Sequence, residues 1–196
     1  MLSGERQISF RVAAYDARRP LVIDPTFAYS TYLGGSGKES GAQLWLDASG
    51  NAFVFGETHS INFPNSTTGT GGDLDMFLTK IGPTGSLIFS KRIGGSGSDD
   101  GKALADTNGN IYVVGTTTST DFPMSNAAQA TYGGGSHDAF LMKFSSSGTL
   151  AFSTYLGGSG NETVFLDLNA NDTEVYLSGQ TTSTNFPTHS GYQTSY

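Results

Sequence analysis

No cysteine occurs in the 196 residues, so disulfides and thiolate metal centres are excluded, and cysteine usage leaves the compartment undecided. Charge is scarce at 14 %, and what there is leans acidic: 10 Lys and Arg stand against 17 Asp and Glu, a net −7. Binding to phosphates needs clustered basic side chains, so no nucleic-acid partner is expected. No apolar run approaches the roughly 20 residues that a membrane-crossing helix requires, and membrane insertion is not expected either. Met1 to Phe10 lacks the apolar core of a signal peptide, which places any export signal outside this chain. Nowhere do apolar residues keep the 3.6-residue spacing of an amphipathic helix, which predicts almost no helix.

Glycine is what the chain holds in quantity, 27 residues, and much of it keeps a beat. Leu33 to Gly37 (LGGSG), Ile93 to Gly97 (IGGSG) and Leu156 to Gly160 (LGGSG) lie 60 and then 63 residues apart. Phe63-Pro64, Phe122-Pro123 and Phe186-Pro187 follow each of them, and Asp75 to Lys80 (DMFLTK) is echoed by Asp138 to Lys143 (DAFLMK). A self-similar block of this length is a module that cannot bury its apolar face alone and must stack on its neighbours.

One unit runs from Gly101 to Gly157. Lys102 to Asp106 reads as a short first strand, and Asn108-Gly109 as the turn, since Gly accepts the positive φ a tight hairpin needs. Asn110 to Thr116 returns as a second strand, with Gly115 placed where another backbone passes close. After a polar loop, Asp138 to Phe144 and Leu150 to Leu156 supply two more strands. Four antiparallel strands per period describe a propeller blade. The fold class is all-β: β-propeller blades of four antiparallel strands, about three repeats, in an incomplete or assembly-closed propeller.

YSTYLGGSG at Tyr29 to Gly37, DASGNAFVFGET at Asp47 to Thr58 and TSTDFP at Thr118 to Pro123 resemble the SBBP family of bacterial β-propeller repeats. The resemblance covers about residues 27–196. It implies a propeller, usually on large secreted or cell-surface bacterial proteins, with no catalytic residues established for the repeat. Residues 1–26, with RPLVIDP at Arg19 to Pro25, resemble the segment that ends an upstream domain in such proteins. The repeats divide at about 27–86, 87–149 and 150–196, the last incomplete, because Tyr196 comes before a third DAFLMK-like strand. Three units imply a stretch of a longer chain, an open stack, or closure between chains; the first is preferred. Open blade edges invite a homo-oligomer, with Ile8 to Ala14 (ISFRVAA) as one strand that could be donated. Between Gly37 and Gly56 the first copy has one residue more than the second has between Gly97 and Gly115. This is read as a residue lost from the second copy's first hairpin. The third hairpin, lacking the Gly-Asn turn, has the least certain register.

Chemistry-bearing residues are few. Asp106, Asn108 and Asn110 match the first, third and fifth oxygens of a calcium loop, as do Asp167, Asn169 and Asn171. Neither set has a glutamate at the twelfth position, and Asx residues favour turns, so a plain hairpin is the preferred reading over Ca2+ binding. Glu39, Asp99 with Asp100, and Glu162 recur just after each GGSG. They are candidates for a ligand face on one side of the stack, with a solvated rim as the blander and preferred reading. The Phe-Pro pairs are expected to pin the long loops. His59, His137 and His189 are not repeat equivalents, and no nucleophile elbow or phosphate loop is present. No catalytic or cofactor residue is assigned. The chain reads as a noncatalytic extracellular or cell-surface scaffold or binding module for a protein or glycan partner. The alternative is part of a secreted propeller enzyme, a hydrolase or lyase, with its site on a ring face or outside this chain.

Overall fold

Short runs of β-branched and aromatic residues, broken every few positions by Gly, Asn and Asp, can pair only as strands. The computed structural model describes residues 29–64, 72–168, 174–189 and 191–193 and bears this out with ten strands and no helix among the described residues. β1 (Glu39–Leu46), β2 (Ala52–Thr58), β3 (Asp75–Ile81) and β4 (Leu87–Ile93) form one antiparallel sheet in chain order. β5 (Asp99–Ala105), β6 (Ile111–Thr117), β7 (Asp138–Phe144) and β8 (Leu150–Leu156) repeat it, and β9 (Glu162–Leu168) pairs with β10 (Val175–Thr181). The chain is thus all-β, in blades of the β-propeller kind. The third and fourth strands of the second unit run as read from the sequence; its first two begin and end slightly differently. The sheets change the repeat's phase: divisions at 86/87 and 149/150 fall between the third and fourth strands of one blade.

Local sequence explains the turns. Asp47 and Asp106 each accept backbone N–H bonds two and four residues on, from Ser49 and Asn51 and from Asn108 and Asn110. Such an Asx turn closes the first hairpin, and Gly50 and Gly109 take the positive φ, 76° and 77°, that it requires. The second hairpins turn on Gly85 and Gly148, whose N–H groups bond Gly82 and Ser145 carbonyls.

The extra residue in the first copy is not in the turn. β1 carries a bulge between Ser40 and Gln43, with Gly41 at φ 66°, while the turn keeps its length. The third hairpin keeps the regular register from Glu162↔Thr181 to Leu168↔Val175. Of the calcium-spaced residues there, Asp167 lies in β9, while Asn169 and Asn171 fall outside the described residues, as do residues 1–26 and Ile8 to Ala14.

The core forms between blades. Phe53, Phe55, Met76, Leu78 and Ile93 from the first sheet join Ile111, Val113, Phe140 and Met142 from the second in one buried cluster. Size is complementary at the first junction: Met76, second in β3, stands where the next blade carries Gly101, and a Cβ there would meet the Met76 sulfur. At the second junction small Ala139 occupies the Met76 position and Val164 the Gly101 position, so the bulk changes sides.

Candidate functional site

The recurring polar signature assembles at the top of every blade as a clasp between two loops. In the second copy, Asp99 Oδ2 accepts the Gly95 N–H at 2.7 Å and the Ser119 hydroxyl at 2.9 Å. Ser119 Oγ in turn accepts the Gly97 N–H, and Asp121 Oδ1 accepts both the N–H and the hydroxyl of Ser96. The first copy repeats this with Glu39, Gly35, Ser60, Gly37, Asn62 and Ser36. The third repeats it with Glu162, Gly158, Ser183, Gly160, Asn185 and Ser159. A threonine two positions before the serine caps its N–H in each copy: Thr58, Thr117 and Thr181.

The glycines of GGSG are required because the clasp leaves no space for side chains. A Cβ at Gly95 would strike Ser119 and Asp121, and one at Gly158 would strike Ser183 and Asn185. The following phenylalanine then locks the loop down. Phe63 stacks on Phe77 with centroids 4.6 Å apart, and Phe122 lies 4.5 Å from Phe140. Tyr155 ties the same loop from below, accepting the Phe122 N–H and donating to the Ser119 carbonyl at 2.8 Å. Burial holds its phenol up at about 12.

This arrangement corrects the reading of Glu39, Asp99 and Glu162 as a solvated rim. Asp99 is 0 % exposed and Glu162 1 %, with Glu39 half-buried. Asp100 alone of the four faces solvent, accepting the Thr116 hydroxyl. The motif alone did not show that each acid folds back onto its own glycine loop. The partner serine lies about twenty residues away, in a Thr-x-Ser-x-Asx-Phe-Pro run that keeps the same beat.

The first two blades each carry a second acid that the motifs do not mark as chemistry. Asp75 and Asp138, the first residues of β3 and β7, are fully buried and meet the acid that opens the next blade: Asp99 and Glu162 respectively. Burial raises Asp75 to about 7; Arg92, in an ion pair with it, pulls down, and the Asp99 charge pushes up. Asp99 is raised by burial against the pull of its hydrogen bonds, and Asp138 by burial and then the Glu162 charge. At Glu39 burial pushes up, but bonds from Ser60, Gly35 and Thr58 outweigh it and the carboxyl is lowered. Backbone bonds stitch the same seams, Asp99 N–H to the Leu74 carbonyl and Glu162 N–H to that of His137.

The calcium-spaced Asp106, Asn108 and Asn110 come together as the Asx turn described above. Asp106 takes three hydrogen bonds there, and Asn110 presents its NH2 group, not its oxygen, to Asp106 at 2.7 Å. No group of three or more acidic or histidine side chains converges among the described residues.

One open groove crosses all three blades, about 470 Å3, between the first strands β1, β5 and β9. Gln43, Glu57, Asp100, Lys102, Leu104 and Phe165 line it. Phe165 is 60 % exposed there, and only Asp100 among these residues was singled out by the sequence.

Blades joined by repeated clasps and seams define a propeller-type scaffold. Residues 88–123, from β4 through the second GGSG to Phe122-Pro123, match the SBBP family model, described as a β-propeller repeat. The chain therefore carries an SBBP-type repeat, in agreement with the resemblance drawn from its motifs. No curated protein matches it.

Proposed function

We propose that the chain is a noncatalytic scaffold, extracellular or displayed on a cell surface, that binds a protein or glycan partner in the groove across β1, β5 and β9. One observation carries this reading: the acids that recur with the period are committed to clasps and blade seams, so the repeat's signature is architectural. What varies from blade to blade lies in the groove, where Glu57, Asp100 and Lys102 surround apolar Leu104 and Phe165. Aromatic surface beside hydrogen-bonding groups suits sugar rings and peptide side chains alike. The low charge, the wealth of Gly and the net −7 fit a secreted or surface setting.

The test is a panel of polysaccharides and peptides titrated against the full chain and its Phe165→Ser and Asp100→Asn variants. A ligand whose affinity drops about tenfold in either variant, with no turnover, supports the reading. Hydrolysis or elimination abolished by Asp100→Asn would establish the enzyme alternative instead.

A further inference from the structure

The outer edge of β10 pairs with no strand among the described residues, and three features along it match what a third strand fills in the complete blades. The first is Thr181. Its equivalents Thr58 and Thr117 stand opposite Asp75 and Asp138, the residues that open β3 and β7. The second is a seat for an aromatic ring. Gly56 and Gly115 stand opposite Phe77 and Phe140, which pack on Phe63 and Phe122. A Cβ at Gly56 would meet the Ser40 carbonyl and then the Phe77 ring, whereas at Gly115 and Gly179 it would meet the backbone of the first strand, at Asp100 and Thr163, so the glycine admits the neighbouring strand and the ring sits beside it. In the third blade Gly179 and Phe186 occupy these positions around a cleft of about 340 Å3, lined also by Leu177, Leu156 and Ala139. Phe186 is half-buried where Phe63 and Phe122 are buried.

The third feature is an uncovered aromatic. Lys80 lies over the Phe53 ring at 4.6 Å and Lys143 over the Tyr112 ring at 4.9 Å, each across the second-to-third strand pair. Tyr176 is their counterpart and is 58 % exposed, where Phe53 is 2 % and Tyr112 5 %. Along one edge, then, stand the register position of the leading acid, a ring slot two residues on, and an aromatic face for a cation three residues beyond.

We infer that β10 and its cleft form a strand-docking site for a segment of pattern Asp-x-Phe-Leu-x-Lys with a return strand, the outer hairpin of a further repeat of this same type. It docks antiparallel in the register of β3 and β7, its Asp opposite Thr181, its Phe between Gly179 and Phe186, and its Lys over Tyr176. Main-chain pairing supplies attraction, and the two side-chain slots supply selectivity. Ile8 to Ala14 has a phenylalanine third but neither the leading acid nor the lysine, and places Arg11 where Leu78 is fully buried. The inference stands independently of the groove proposed above.

The probe is a synthetic hairpin of residues 138–156, fluorescently labelled and titrated into the full chain by anisotropy, with amide exchange read on the complex. Saturable binding with new protection over Val175–Thr181 is expected. Phe140→Ala in the peptide should weaken it tenfold or more, Lys143→Glu about threefold to tenfold, and Phe186→Ala in the protein should act like the peptide's Phe change. Absence of binding at millimolar peptide, indifference to Phe140→Ala, or protection falling on β1 instead would overturn the inference. So would a dimer in which a second copy fills the edge and excludes the peptide.

Discussion

Ser119 shows at the scale of one residue how little of the clasp is optional. Its hydroxyl donates to buried Asp99 and accepts from the Gly97 N–H, which is half-buried. Ser119→Ala leaves the Gly97 N–H without its acceptor and takes from Asp99 Oδ2 one of its two hydrogen bonds, the Gly95 N–H remaining, and should cost about 1–3 kcal/mol in urea unfolding. Its repeat partner Ser183→Ala should cost less if strength follows how completely each blade is built. Gly95→Ala should be at least as damaging as Ser119→Ala, because the methyl would collide with Ser119 and Asp121. The sequence displayed these residues by recurrence but not their burial. An acid in a glycine loop reads as solvated until the distant Thr-x-Ser-x-Asx run folds over it. Asp75 and Asp138 were visible only as the first letters of apolar strands.

At the scale of strands and hairpins, β7 and β8 could be read directly because their alternation is bounded by Gly and Ser turns. The bulge in β1 could not, since a length difference says nothing of where the extra residue sits; Gly41 was the only local signal. Met76→Ala empties a fully buried site against Gly101 and should cost about 2–5 kcal/mol, whereas Ala139→Met should gain from the open cleft at the second junction or cost little. The Asx turns make a prediction about metal. If Asp106 serves the turn, chelator followed by millimolar Ca2+ leaves the melting temperature unchanged, while Asp106→Ala lowers it; a rise of several degrees with Ca2+ would put an ion in the turn.

Across the whole molecule the buried acids make stability depend on pH in a definable direction. Asp75, held at about 7, is protonated in folded and unfolded chains alike below about pH 4. Its contribution is full there and is lost as pH climbs toward 7, since only the unfolded chain can ionise freely. Asp99 and Asp138 act in the same direction. Asp47, lowered to about 2 chiefly by the Asn51 side chain, and Glu39 act in the opposite one, losing their contribution as pH falls through the acid range. The melting temperature should therefore peak near pH 4–5 and decline toward pH 8, and Asp75→Asn should flatten the decline. The period of the motifs foretold stacked blades; which residues face one another across a seam depends on how the blades pack, which no spacing along the chain encodes.

The most direct test of the clasp and seam is a carboxyl-carbon NMR titration of all aspartates and glutamates. Asp75, Asp99 and Asp138 should titrate above the ordinary carboxylate range, Asp75 near 7, with Asp47 near 2 and Glu39 below its usual value. Midpoints for Asp75, Asp99 and Asp138 clustered near 4 would contradict the account of how these blades hold together.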